Sequence, residues 1–239
     1  MEICCCQQSD INYPQNLKSI KNSPDELFYI GNIELFNSQP CVAIIGSRKS
    51  SETGLRKAYD YGRIAAKNGF AVVNGLALGC DTQAIRGALS EGGKCIAVLP
   101  GGLDEIYPKS NKDLAKSILQ NGGCLISEYK SGTRPTKYSF VHRDRIQSGV
   151  SLGLVVVETE ESGGTMHTVE FAQQHKRLLA CYYTAIGQVA SGNRMIIDKE
   201  MGNPIDDENS MVEFLEKIKE SDSKRYEQLT IFDFKKENG

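Results

Sequence analysis

The sequence predicts an α/β fold built on a doubly wound, mostly parallel β-sheet. Short runs of continuous apolar residues alternate with segments of helical periodicity, and glycine closely follows the first three runs. Continuous apolar runs are typical of strands that are covered on both faces, as in parallel sheets. The predicted strands span residues 41–45, 70–73, 95–99, 124–127, 152–157 and 178–182. In such a Rossmann-like domain, ligands bind beyond the carboxyl ends of the strands.

The segments between the runs are predicted to be helices that pack on the sheet. After the first run, Leu55, Ala58, Gly62 and Ala65 share one helical face, and comparable stripes follow the second and third runs. Asp81 is predicted to cap the helix after the second run. We divide the chain into an N-terminal lead-in (1–39), a Rossmann-like domain (40–200), a C-terminal amphipathic helix (201–220) and a flexible charged tail (221–239).

The composition is that of an ordinary globular protein without a dominant charge. The 239 residues include 28 Lys and Arg against 30 Asp and Glu, for a net charge of -2. This balance excludes a histone-like protein that coats nucleic acid indiscriminately, but it permits a local basic groove. No apolar run is long enough to span a membrane, and the N-terminus lacks a signal-peptide pattern. We expect a cytoplasmic protein.

The cysteine pattern favours reduced thiols over metal ligands. Eight cysteines are present without a CxxC pair, and only three histidines accompany them. We therefore expect no metal site and no cofactor. Four of the cysteines lie in or beside apolar runs, where they act as small core residues. We expect Cys4, Cys5 and Cys6 to lie in a mobile N-terminus.

The first predicted strand ends in a candidate phosphate-binding turn. Gly46 permits a sharp turn, and Ser47 and Arg48 add a hydroxyl and a guanidinium close to the start of a helix. The turn matches neither the G-x-G-x-x-G fingerprint nor a Walker A loop. A tight turn with a surface arginine explains the same residues equally well, so both interpretations stay open.

The segment after the fourth strand is the most basic part of the chain. We interpret it as a long loop whose charge would hold the phosphates of single-stranded nucleic acid and whose rings would stack on bases. A solvated basic loop without function is the alternative. Its basic and aromatic residues are Lys130, Arg134, Lys137, Tyr138, Phe140, Arg143 and Arg145.

A second candidate anion site follows the fifth strand. Ser162, Gly163, Gly164 and Thr165 combine glycines and hydroxyl groups at the predicted start of a helix. Backbone N–H groups at a helix start favour bound anions. Glu170 lies just inside that helix. No arrangement of residues typical of nucleophilic catalysis is legible from the spacing.

Taken in order, these motifs resemble the DNA-processing protein A (DprA/Smf) family. The matching segments are IIGSR, NGLALGCD, AIRGAL, PGGLDEIYP, LISEY, F-x-x-R-x-R and SGGTMHTVEFA, and the resemblance covers about residues 13–198. It implies an extended Rossmann fold that binds single-stranded DNA without catalysis and acts in DNA uptake, natural transformation and recombination. It also implies loading of the RecA recombinase and a homodimer. We expect none of the C-terminal winged-helix module found in many members.

The resemblance also assigns roles to the candidate site residues. It places phosphate binding at the G-S-R turn, residues 46–48, and matches Phe140, Arg143 and Arg145 to the family motif F-P-x-R-N-R. We accordingly expect the arginines of both motifs to contact phosphates. Lys137 would add positive charge, and Phe140 would stack on a base.

Two carboxylates depart from the family pattern and leave alternatives open. Asp144 stands where the motif has asparagine, and the sequence leaves open whether it weakens DNA binding or pairs with Arg145. Glu170 stands where we expect arginine. Together with Gly163 and Gly164 it is similar to the motif of the Lonely Guy phosphoribohydrolases, in which a glutamate assists N-glycosidic cleavage. A nucleotide-sensing module of the same superfamily is a further alternative.

The C-terminal tail contains a candidate partner motif. Gln228, Leu229, Ile231 and Phe232 lie in the segment QLTIF, which is similar to the pentapeptide by which bacterial replication and repair proteins bind the DNA sliding clamp. A flexible polar tether would present the apolar side chains to a hydrophobic pocket. The alternative is a terminal strand or helix that folds back onto the domain.

Overall fold

A single β-sheet organises the described part of the chain. The computed structural model describes residues 2–237, with side chains described for residues 2–223. The strands in this range are β1 (Cys4–Gln7), β2 (Glu26–Gly31), β3 (Cys41–Ile45), β4 (Ala71–Asn74), β5 (Cys95–Val98), β6 (Cys124–Ser127), β7 (Gly153–Val156), β8 (Leu178–Tyr182) and β9 (Asn203–Ile205). Their order across the sheet is β1-β2-β6-β5-β4-β3-β7-β8-β9.

Helices cover both faces of this sheet. They are α1 (Gln15–Lys18), α2 (Leu35–Ser38), α3 (Glu52–Lys67), α4 (Cys80–Ser90), α5 (Lys112–Gln120), α6 (Lys137–Val150), α7 (Thr165–Gln174), α8 (Ser191–Asp198) and α9 (Glu208–Glu237). Alternate residues of β3 belong to two separate buried clusters, Val42 and Ile44 to one and Ala43 and Ile45 to the other. Successive strand residues point to opposite faces, so each face carries its own apolar core.

The central strands confirm the predicted doubly wound parallel sheet. β3 pairs in parallel with β4 on one side and with β7 on the other. The chain runs outward from β3 through β4 and β5 to β6, then returns to β7 beside β3. This reversal of strand order creates the crevice in which ligands of open α/β sheets bind. Among the described residues, no helix is long and apolar enough to cross a membrane.

The N-terminal lead-in extends the sheet rather than standing apart from it. β2 pairs antiparallel with β6, and β1 pairs antiparallel with β2. The prediction that the cysteine triplet lies in a mobile N-terminus is therefore wrong. Buried Tyr13, Leu17 and Leu27 anchor the segment in the core, and the Tyr13 hydroxyl donates to the Pro24 carbonyl at 2.7 Å.

The C-terminal helix continues well past its predicted end at residue 220. α9 has no glycine or proline in its length, so nothing in its sequence interrupts the backbone hydrogen bonds. Its early residues Phe214, Leu215 and Ile218 are buried in the core. The backbone of most of the predicted flexible tail is thus part of this helix. The side chains of Gln228, Leu229, Ile231 and Phe232 lie outside the described side chains, and the clamp motif stays a prediction.

Candidate nucleic-acid cleft

A cleft of about 690 Å³ lies at the carboxyl ends of β3 and β7, where the strand order reverses. This is where a doubly wound sheet is predicted to bind its ligand. Four segments line the cleft: the turn after β3, the start of α4, the first turns of α6 and the region from the end of β7 to the start of α7. The three predicted anion-binding segments therefore all line this one cleft.

The turn at residues 46–48 is held from both sides. Ser47 N donates to the Glu158 carbonyl at 2.7 Å, and Cys80 N donates to the Ser47 carbonyl at 3.2 Å. A Cβ atom on Gly46 would lie 2.6 Å from Cys80 Sγ, so only glycine fits this close approach. The turn thus fixes the backbone from which the exposed Arg48 side chain extends.

The basic segment after β6 is helical from Lys137 onward, and the prediction of a long loop is wrong there. Thr136 Oγ1 accepts from Ser139 N at 3.2 Å, and Ser139 Oγ accepts from Thr136 N at 2.8 Å. This reciprocal capping box starts α6. Because residues three and four apart share a helix face, Lys137, Phe140 and Asp144 all line the cleft.

Arg48, Lys137 and Phe140 form the rim of the cleft. Arg48 Cζ lies 5.1 Å from the centroid of the Phe140 ring, a cation–π arrangement. The ring of Tyr107 meets Phe140 edge-on, with centroids 5.5 Å apart. Arg48 and Lys137 are exposed, while Phe140 is half-buried. Sequence reasoning missed Tyr107, which supports the ring that the rim arginine covers.

Asp81, Arg143 and Asp144 form the floor of the cleft. Arg143 is 5% exposed, and its Nε lies 3.2 Å from Asp144 Oδ1. The expectation that this arginine presents its charge to a phosphate does not match its burial. The guanidinium instead lies over Gly75, where a Cβ atom would be 1.0 Å from Arg143 Nη1.

The carboxylate of Asp81 ties the loop after β4 to the floor. Its Oδ2 accepts from Gly75 N at 2.9 Å and from Ala77 N at 3.2 Å. The predicted capping role is wrong, because Gly79 occupies the N-cap of α4 and Asp81 lies in the first turn. Burial raises the pKa of Asp81, and the Arg143 guanidinium opposes that shift.

Asp144 pairs with its neighbour Arg143 and not with Arg145. Its Oδ1 also accepts from Gln147 Nε2 at 2.7 Å. Arg145 points elsewhere and donates to Glu128 Oε2 at 2.7 Å. That pair is largely buried, with side chains 13% and 17% exposed. Arg145 is therefore not brought together with the other candidate residues.

The start of α7 forms the wall opposite the rim. Gly163, Gly164 and Thr165 line the cleft, and a Cβ atom on Gly164 would meet nothing within 4 Å. Ser162 and Glu170 are exposed and do not line the cleft. A catalytic role for Glu170 in this space therefore has no geometric support.

Glu158, which follows β7, is a cleft residue without an assigned role in the sequence analysis. Its carboxylate accepts from Ser51 N at 2.9 Å and from Ser51 Oγ at 2.5 Å. Ser51 is also the N-cap of α3 and accepts from Gly54 N. The acid therefore holds the start of α3 in place. Within the described residues, no cluster of potential metal ligands is present.

Comparisons with known proteins identify relatives of this chain. The family model described as DNA recombination-mediator protein A matches residues 5–216. The chain belongs to this family. It is 40% identical over 165 residues to DNA processing protein DprA of Streptococcus pneumoniae (strain ATCC BAA-255 / R6), covering 69% of this chain and 57% of that protein. The chain spans about half the length of the curated relatives it matches.

Two solved DprA structures share the fold. The X-ray structure of DprA from Streptococcus pneumoniae has a TM-score of 0.80 and 33% identity, covering 89% of this chain and 74% of that chain. A structure of DprA from Helicobacter pylori, described by its single-stranded DNA binding mode, has a TM-score of 0.81 and 27% identity, covering 91% and 97%. These matches confirm the predicted DprA/Smf resemblance and the α/β fold. The family and relative names describe DNA processing and recombination mediation, and they name no enzymatic reaction.

Proposed function

We propose that this DNA-processing family member binds single-stranded DNA in the cleft without catalysing a reaction on it. The observation that carries the proposal is the exposed Arg48 guanidinium over the Phe140 ring, beside the exposed Lys137. Binding that tolerates any sequence combines cations for the phosphates with ring faces for the bases. The rim offers both within one short stretch of surface.

The proposal divides the predicted site residues by their environment. Arg48 and Lys137 contact phosphates, and Phe140 stacks on a base. In the wall, Gly164 and Thr165 offer backbone N–H groups to a further phosphate at the start of a ten-residue helix, while the Gly163 N–H donates to the Glu160 carbonyl at 2.9 Å. The turn that contains Ser47 forms part of the same binding surface.

The buried arginines act indirectly in this proposal. Arg143 holds α6 against the loop after β4, and Arg145 holds it against Glu128. Both therefore position the rim residues of α6 instead of touching the strand. This assignment replaces direct phosphate contact, because each guanidinium already lies against a carboxylate.

The wider role follows from family membership. The family description as a recombination mediator supports a role in recombination. On the family resemblance, the proposal also includes DNA uptake and a RecA-type recombinase as partner. The Helicobacter pylori relative's described single-stranded DNA binding supports the ligand. We include a cytoplasmic homodimer in the proposal on the family resemblance, and sliding-clamp binding on the QLTIF segment alone.

The test is a titration of an unstructured oligothymidylate across salt concentrations. We expect the logarithm of the binding constant to fall linearly with the logarithm of salt concentration, since phosphate neutralisation releases counterions. Arg48→Ala should weaken binding and reduce the slope by about 1. Arg86→Ala removes an exposed arginine of α4 outside the cleft lining and is the matched control.

Two outcomes would contradict the proposal. The first is binding that shows no salt dependence, or an equal loss of affinity in Arg48→Ala and Arg86→Ala. The second is release of the base from nucleoside monophosphates that disappears in Glu170→Ala. That result would favour the phosphoribohydrolase alternative.

A further inference from the structure

The floor of the cleft carries an unbalanced charge directly beneath the proposed DNA. Two buried carboxylates lie near the buried guanidinium of Arg143, which pairs with Asp144 and acts on Asp81 only through its charge, and all three groups line the cleft. Asp81 is 4% exposed and Asp144 9%. A buried carboxylate without a full counter-charge is costly, and an approaching phosphate adds a further negative charge. The floor therefore opposes the ligand that the rim attracts.

The two acids differ in how firmly their charge is held. Asp81 accepts two backbone N–H groups, from Gly75 and Ala77. Such hydrogen bonds favour the ionised form of a carboxyl group. The Asp144 carboxylate accepts a side-chain hydrogen bond from Gln147 Nε2 at 2.7 Å, and its Oδ1 forms an ion pair with Arg143 Nε at 3.2 Å. Asp144 is thus the acid that a second negative charge would neutralise first.

An unsatisfied acceptor lies on the side chain that contacts Asp144. Among the described residues, Gln147 Oε1 is buried and has no hydrogen-bond donor, while Gln147 Nε2 already donates to Asp144 Oδ1. A carboxylate can only accept, whereas a carboxylic acid also donates. Protonation of Asp144 would therefore supply a donor beside an acceptor that lacks one, reached by rotation of the amide group.

Charged groups act on Asp144 from several elements around the cleft, whose lining also contains Glu158, Glu160 and Lys137. Arg48 extends from the turn after β3, Asp81 from α4, Arg143 from α6 and His167 from α7. Burial raises the pKa of Asp144 to about 6. The Arg143 guanidinium opposes this shift, the Asp81 carboxylate adds to it, and His167 and Arg48 oppose it. The carboxyl group is therefore charged at neutral pH and takes up a proton at a slightly lower pH.

We propose that Asp144 couples DNA binding to proton uptake, so that the cleft binds single-stranded DNA more tightly as its carboxylate is neutralised. The inference rests on the proposed function. In this step the carboxylate takes one proton from solvent and no bond of the DNA changes. By linkage, a phosphate that binds the protonated form better also raises the affinity of Asp144 for its proton.

The test measures affinity for oligothymidylate from pH 8.0 to pH 5.5 at constant ionic strength, because neither the phosphodiesters nor thymine titrates in that range. Imidazoles change charge in this range as well, so the reference protein is His167→Gln. We expect its affinity to rise about three- to tenfold on acidification, the equivalent of up to one unit of pKa shift. In His167→Gln/Asp144→Asn the affinity should stay at the higher level throughout.

A second measurement uses the His167→Gln protein and does not depend on how Asp144→Asn folds. Calorimetry near pH 6.5 in buffers with different ionisation enthalpies should show net proton uptake on DNA binding. A flat pH profile in His167→Gln, or the same pH slope with Asp144→Asn added, would overturn the inference while salt-dependent binding leaves the proposed function standing. Absence of binding at every pH would overturn both.

Discussion

At the rim of the cleft Arg48 is exposed and its guanidinium covers an aromatic ring, whereas at the floor Arg143 is 5% exposed and its guanidinium lies against the Asp144 carboxylate. Both arginines belong to short motifs that resemble one family, and both line the same cleft. An exposed guanidinium keeps its charge available to a ligand. A buried one is committed to the groups that compensate it. Within one site, the exposed arginine is available to bind a ligand and the buried arginine supports the fold.

The largest expected effect tests the supporting role of the floor. Arg143→Ala leaves the carboxylates of Asp81 and Asp144 buried without their guanidinium. Removing one partner of a buried ion pair costs about 3–5 kcal/mol, so we expect the free energy of unfolding to fall by that order. Denaturant-induced unfolding measures it. An unchanged unfolding midpoint would show that the floor arginine does not stabilise the fold.

A slightly smaller effect is expected from the residue beneath Arg143. In Gly75→Ala the new methyl group would lie 1.0 Å from Arg143 Nη1, so the guanidinium must move. Overpacking of this kind costs about 1–3 kcal/mol of unfolding free energy. Gly164→Ala is the matched control, since its methyl group meets no atom within 4 Å. Equal stabilities of the two variants would show that Arg143 is not confined at Gly75.

The pH dependence of stability sharpens the comparison further. The folded chain holds the pKa of Asp144 at about 6, raised from 3.8 by burial. Between these values the folded state binds more protons than the unfolded state, so this group stabilises the fold less as pH rises. The stability of Asp144→Asn relative to the unmodified protein should therefore be higher at pH 7.5 than at pH 5 by about 1–2 kcal/mol. Stability curves that run parallel across this range would contradict the assignment.

The smallest effect on stability is expected at the rim. Arg48→Ala removes an exposed cation–π contact, which is worth about 0.5–1 kcal/mol. We expect unfolding to shift by no more than this, although DNA binding weakens. Thermal unfolding of the variant beside the unmodified protein gives the measurement. A loss as large as that of Arg143→Ala would mean that the rim also supports the fold.

The sequence predicts the central sheet closely because each buried strand is a continuous apolar run. β3, β6 and β8 match their predicted limits residue for residue. The lead-in strands are not predicted, because their pairing is long-range and has no local sequence pattern. β1 pairs antiparallel with β2, and β2 pairs antiparallel with β6. Mixed burial along β1 and β2 also gives no continuous apolar run.

The candidate site also has one part that the sequence predicts and one part that it does not. The Gly46, Ser47 and Arg48 turn is predictable because a strand end, a glycine and a cation stand together in sequence. The burial of Arg143 is not, because the nearby charge of Asp81 comes from α4 and the close neighbour Gly75 from the loop after β4. A count of basic residues cannot separate a cation that faces solvent from one enclosed by distant acids.

The two outer strands of the sheet bear on how the sheet avoids edge-to-edge pairing with other chains. β1 has four residues and β9 has three, and β9 contains Pro204, which has no N–H to donate. Short edges and proline both discourage another chain from adding a strand. The lead-in places β2 and β1 beyond β6, so the hydrogen-bonding edge of that fully buried strand is covered. A segment that looks like an appendage therefore protects the apolar sheet from aggregation.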